Sequence, residues 1–207
     1  MTVRTGLGLR ACKGGAVAVG LRIEKGEPYI LASIFLNTHE DGDRLSLEPY
    51  GVAAETASRA QGVMPDVAAA VAEGRQRQDA LAARNLQRFV EGLVHANQAP
   101  IVAALLVNRA GWITDLLAHS LAFAEHVPVA EGLAVRDALR FAFGRCGIEA
   151  IELDEKSLPE TASAVLGRSS AEIDDRLKAL GAEAGKPWRK EQKLACLAAW
   201  VAAAGPG

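Results

Sequence analysis

The chain has 207 residues, half of them hydrophobic, with 23 lysines and arginines against 25 aspartates and glutamates, a formal net charge of −2 and a pI near 6.1. This composition excludes a disordered chain and is ample for one packed core, so a single soluble domain over residues 1–207 is expected. Balanced charge removes the general argument for a nucleic-acid coat or a polybasic membrane patch, and three distant cysteines, Cys12, Cys146 and Cys196, indicate neither a disulfide framework nor a zinc site.

Three extended segments come first. Val3 to Ala11 reads as a strand, Lys13-Gly14-Gly15 as its turn, and Ala16 to Ile23 as a second strand of small and branched apolar residues. Glu24 to Glu27 is another polar turn, and Pro28 to Leu36 a third strand with Tyr29, Ile30, Ile34 and Phe35. Short turns require antiparallel neighbours, hence a meander. Asn37 to Pro49 reads as a polar loop and Ala53 to Gln61 as a helix. Pro65 to His95 reads as a strong amphipathic helix opened by Pro65, with Gly74 as a break within it.

The run Pro100 to Val107 is continuously apolar, the mark of a strand buried on both faces. After Gly111, a helix from Trp112 to Phe123 leads through Val127-Pro128 to a second helix, Ala130 to Arg145, which Gly147 ends. Ile148 to Leu153 alternates as a strand does. Helices follow at Leu158 to Leu166 behind Ser157, at Ala171 to Leu180 behind Ser169 and Ser170, and at Pro187 to Ala204.

Strands four and five each follow a helical crossover and are therefore expected to join the sheet in parallel. The layout is that of an α/β protein of the ribonuclease-H-like kind, a five-stranded mixed sheet of order 3-2-1-4-5 with the first strand between the second and the fourth and helices on both faces, although the pattern alone also permits other mixed α/β sheets. The N-terminus, interrupted by glycines and by Arg4, Arg10 and Lys13, shows no apolar stretch of signal-peptide length, and Ile113 to Val135 carries too many polar groups to span a membrane, so a cytoplasmic protein is expected.

Three segments resemble an uncharacterised bacterial family with this fold, distantly similar to Holliday-junction resolvases. They are Gly6 to Val19; His119 to Arg136, with His126, Ala130-Glu131-Gly132 and Arg136; and Pro187 to Lys193 running into Ala195 to Trp200. The resemblance implies a nuclease that holds two metal ions through carboxylates at the sheet centre. This chain departs from that pattern. Arg10 stands where the first strand would carry an aspartate, Asn108 follows strand four, and the last helix has Lys193 and Cys196 near the expected acids, leaving Glu191 as the substitute.

A cation at the central position repels a metal, so the expectation is a non-catalytic binding or regulatory module without a cofactor. The alternative is a Mg²⁺- or Mn²⁺-dependent nuclease, or another phosphoryl-transfer enzyme, whose acids have moved to Glu55, Glu131, Glu152, Asp154 or Glu191.

The related sugar-kinase and actin-like branch of the fold cradles phosphate in the hairpin after strand one. Arg10, Lys13, Gly14 and Gly15 would supply charge and backbone amides there, with Arg136 as a further ligand-binding candidate. The plainer reading of Lys13-Gly14-Gly15 is an ordinary hairpin turn. His119, Glu125, His126, Glu131 and Arg136 form the densest polar cluster in an apolar setting, and His126 and Glu131 are its candidates for acid–base work. Its plainer reading is structural, with Glu131 favourable in the first turn of a helix. An anionic ligand or nucleic acid is the partner that either site would take, homo-oligomerisation is left open, and one shared cleft is expected to hold Arg10 or Lys13 together with His126 or Glu131.

Overall fold

The computed structural model describes residues 3–60, 66–108 and 112–205, the side chain of Asn97 apart. Pro65, Gly111 and Gln61, which bound three of the expected elements, lie outside the described residues. Strand β1 (Arg4–Cys12), β2 (Gly15–Glu24) and β3 (Glu27–Asn37) form the expected meander. Both connections are two-residue turns that need positive φ, supplied by Gly14 in the first and by Lys25 and Gly26 in the second. A short helix α1 (Arg44–Leu47) occupies part of the segment expected to be loop, because the Asp43 carboxylate accepts the amides of Leu45 and Ser46 and so nucleates a turn.

Helices α2 (Pro49–Arg59) and α3 (Val67–Asn97) follow; Asp66 caps α3 by accepting the Ala69 amide at 3.0 Å. Gly74 does not break α3. A methyl there would lie 2.5 Å from the Leu45 carbonyl oxygen, so this glycine lets α1 and α2 cross the helix closely. Strand β4 (Ile101–Val107), helix α4 (Leu116–Ala122) and a 3-10 turn (Ala124–His126) come next. Pro128 then lies at the start of α5 (Val127–Arg145), where a missing amide costs nothing, instead of separating two helices. Strand β5 (Ala150–Asp154) and helices α6 (Leu158–Leu166), α7 (Ser170–Ala184) and α8 (Lys190–Ala204) complete the chain. Ser169 and Glu172 close a capping box on α7.

The sheet order is β3-β2-β1-β4-β5, with β1 antiparallel to β2 and parallel to β4, and β5 parallel to β4. Side chains alternate across it. Leu7, Leu9, Ala103 and Leu105 pack against α3 and α5, whereas Val17, Val19, Ala104 and Leu106 pack against α6, α7 and α8. On β1 the second face is glycine: a methyl at Gly6 or Gly8 would lie 2.3 or 2.0 Å from the carbonyl oxygens of Ala199 and Ala195. The alanine-rich helix α8 therefore rests directly on the central strand. Trp188 packs before α8 and donates its indole N–H to the Leu177 carbonyl at 3.1 Å, anchoring the entrance of that helix. Among the described residues no helix is long and apolar enough to cross a membrane.

Candidate anion-binding cleft

The carboxyl ends of β1, β4 and β5 lie side by side, and open α/β sheets gather ligands at such a rim. Arg10 is paired in register with Leu106 and sits two residues beyond Gly8, on the α8 face of β1. Its guanidinium makes two bonds of 3.0 Å to Glu155, just past β5, and approaches the Cys12 sulfur at 3.6 Å. Burial works against the Arg10 charge, but the Glu155 carboxylate more than offsets it and holds the pKa above its ordinary value.

Arg136 lies one strand away, on α5, and differs in kind. It donates to the Asn108 side chain at 2.5 Å, at the end of β4. Its Nε is buried without a partner, and among the described residues it forms no ion pair. Burial and the positive charge of Arg140 depress its pKa; Arg10 adds to this, while Glu155 and Asp137 oppose it.

Arg136 borders a cleft of about 580 Å³, lined also by Tyr50, Arg75, Asp115, Asp137 and Arg140. Arg75 donates to the Tyr50 hydroxyl at 3.0 Å and to Asp137 at 3.2 Å; Arg140 bonds Asp137 at 2.8 Å and Glu152 at 2.6 Å. Among the described residues, two of the three arginines lining the cleft are thus paired with carboxylates and the third is not. A second hollow of about 490 Å³ shares Asn108, Ile113, Leu133 and Arg136 with the first and continues past Trp112, Pro128, Val129 and Lys156.

The other sequence candidates are dispersed around this rim. Lys13 is exposed and paired with Glu48 at 2.9 Å. The Gly14 carbonyl accepts the Thr38 amide at 2.9 Å and lies 2.8 Å from His39 Nδ1; a methyl on Gly15 would lie 2.2 Å from the Leu36 carbonyl oxygen. Positive φ in the turn therefore accounts for Gly14 and close packing for Gly15. His126 stacks face to face on His119 with ring centroids 4.0 Å apart, and its Nδ1, 3.0 Å from the His119 carbonyl oxygen, carries the proton of that bond.

Glu131 is not in the first turn of α5, as expected, but in its second, and it is only 7% exposed. Its Oε1 accepts the Gly51 amide of α2 at 2.8 Å, while Oε2 is buried without a partner. Burial pushes its pKa up to about 7, against the Gly51 and Tyr50 amides; Glu48 raises it further and Lys13 lowers it. The expected pairing of Arg10 or Lys13 with His126 or Glu131 is not what lines this cleft: the charge of Lys13 reaches Glu131 and that of Arg10 reaches Arg136, but of these residues only Arg136 is among those lining it.

The described residues do not fit a two-metal centre. Glu55 is held by Arg44, Glu131 by the α2 amides, Glu152 by Arg140, and Asp154 accepts the Lys156 amide at 2.8 Å; Glu191 opens α8. Among the described residues no three His, Cys, Asp or Glu side chains are grouped so as to hold a metal ion. The cleft residues missed by sequence reasoning are Arg75, Tyr50, Asp137 and Arg140, together with Glu155, which holds Arg10 outside the cleft lining. Arg136 and Arg140, four apart on one helix face, were the available signal; Arg75 reads from sequence as part of a solvated helix face.

No family model and no curated protein matches the chain. Among solved structures, the fold is similar to that of RuvC from Thermus thermophilus, with a TM-score of 0.50 and 14% identity over 97% of this chain and 92% of that one. A second structure, T. thermophilus RuvC in complex with a Holliday junction substrate, has a TM-score of 0.48 and 12% identity over the same shares. With its sheet order and its helices on both faces, the chain has a ribonuclease-H-like fold that resembles, distantly, the Holliday-junction resolvases.

Proposed function

We propose that this protein is a non-catalytic binding module that takes an anionic, phosphate-bearing ligand at the carboxyl edge of its sheet. The observation that carries the reading is Arg136: a half-buried guanidinium without a counter-ion among the described residues, flanked by other arginines and bordering a cleft. Such a charge is costly to bury unless something neutralises it, and a planar donor fork suits phosphate. Arg10 contributes indirectly. By holding Glu155 it keeps that carboxylate from pairing with Arg136.

What supports the absence of catalysis is the use made of each candidate acid. Arg10 occupies the position where the resolvase pattern has an aspartate, and Glu131 is consumed as a cap on α2. The competing reading, a metal-dependent nuclease, draws on the resolvase-like fold. Calorimetric titration with inorganic phosphate and with duplex and branched oligodeoxynucleotides tests both. Binding that weakens at least about tenfold in Arg136→Ala, with no EDTA-sensitive cleavage of branched DNA, is the expected result. Cleavage abolished both by EDTA and by substituting Asp154 or Glu191 would overturn the reading in favour of the nuclease.

A further inference from the structure

The two edges of the sheet are guarded unequally. Strand β5 is 5 residues long and carries Glu152 and Asp154, a short charged edge of the kind that resists pairing with another chain. Strand β3 is 11 residues long, and from Tyr29 to Asn37 it has no charged residue. Among the described residues, side chains reach its backbone at the two ends: Arg176 donates to the Pro28 carbonyl at 2.6 Å and Asn85 to that of Asn37 at 2.8 Å. Between them the outward amides and carbonyls of an edge strand face solvent.

Within this stretch Ser33 to Phe35 is exposed on both faces, while Leu36 is buried. Ile34 lies beside Ala18 on the α3 face and is 39% exposed; Phe35 lies beside Val17 on the α8 face and is 46% exposed. Pairing beyond the irregularity at Gly20/Leu21 is regular, so Ala32 to Leu36 presents an extended backbone to a partner.

We infer that β3 is a pairing edge through which two copies of this chain join antiparallel into one continuous sheet. Charge selects the copy and the direction. Lys25, in the β2–β3 turn, and Asp41, past the other end of β3, are both exposed, and neither has an ion pair among the described residues. They are equidistant in sequence from Ser33. Antiparallel pairing centred near Ser33 carries the Lys25 end of each copy toward the Asp41 end of the other, twice, as a two-fold axis requires; parallel pairing would set like charges together. Because β3 and β5 lie at opposite edges, the Arg136 cleft stays open in such a dimer.

Sedimentation velocity of the full chain over a wide range of concentration tests this. A monomer–dimer equilibrium is expected, with the dissociation constant raised at least about tenfold in Ile34→Lys, in Phe35→Lys and in Ser33→Lys, three exposed positions whose melting by circular dichroism reports whether each variant folds. Phe123→Lys, in the exposed aromatic patch after α4, should leave the equilibrium unchanged. A chain that stays monomeric throughout, or a dimer that the three β3 variants leave intact, overturns the inference. So does a dimer that Phe123→Lys dissolves.

Discussion

Glu131 and Arg136 stand five residues apart on one helix, and each has a buried polar atom without a partner, Oε2 in one and Nε in the other. Their surroundings make them opposites. Glu131 turns into the protein and meets the amides of α2, a helix end that needs an acceptor. Arg136 turns toward the rim and meets a cleft whose other cations are already paired. An orphaned atom marks a structural compromise when the rest of its group is satisfied by backbone. It marks a ligand site when the rest of its group faces open space with unneutralised charge.

The largest effect that separates the two is a gain of stability. With its folded pKa near 7 and its unfolded value near 4.5, Glu131 binds more protons in the native state between those pH values, so stability falls as pH rises from about 4.5 through 7. Glu131→Gln keeps an acceptor for the Gly51 amide and removes the buried charge. It should raise stability by up to about 3 kcal/mol at pH 8, with the gain vanishing near pH 4.5, read from denaturant melts across that range. A constant difference at every pH would show that Glu131 carries no raised pKa.

Next in size, Arg136→Ala should cost at least about 1.4 kcal/mol of phosphate binding, because it removes the guanidinium fork. Stability should not fall by more than about 0.5 kcal/mol, because no ion pair is lost. A large loss of melting temperature would make Arg136 structural like its neighbour, and the contrast would collapse. Arg10→Ala is expected to remove about 1 kcal/mol of stability with the Glu155 pair and to weaken phosphate binding as the released carboxylate turns to Arg136. The double variant Arg10→Ala/Glu155→Ala should recover binding, measured by the same titration. Lys13→Ala, which loses one exposed pair with Glu48, should change stability by less than about 0.5 kcal/mol.

The fold was legible because its signals are local. Glycine turns after Cys12 and at Gly26 force a meander, and the apolar run at Ile101 to Val107 reads as a doubly buried strand wherever it is found. Crossovers then order the sheet. Gly74 was misread for the same reason: locally a glycine weakens a helix, and only the crossing of α1 and α2 shows what it admits. The site was legible in part. Arg10 stands out against the resolvase pattern and Arg136 lies in a segment that resembles it, but Glu155, the partner that locks Arg10, is 145 positions from it. Glu131 caps a helix 80 residues earlier in the chain, a partnership that no periodicity records.

Strand β1 and helix α8 touch backbone to backbone, with the Ala195 and Ala199 carbonyls seated where β-carbons would stand on Gly8 and Gly6. Neither element can slide past the other without lifting away, since there are no side chains between them to change rotamer. The strand bearing Arg10 is therefore mounted on an anvil, whereas one wall of the cleft is built from Ile113 to Leu117, running into the short helix α4, whose buried residue is Ser120. Any accommodation to the shape of a ligand falls to that wall, and native-state hydrogen exchange should open α4 long before it opens β1.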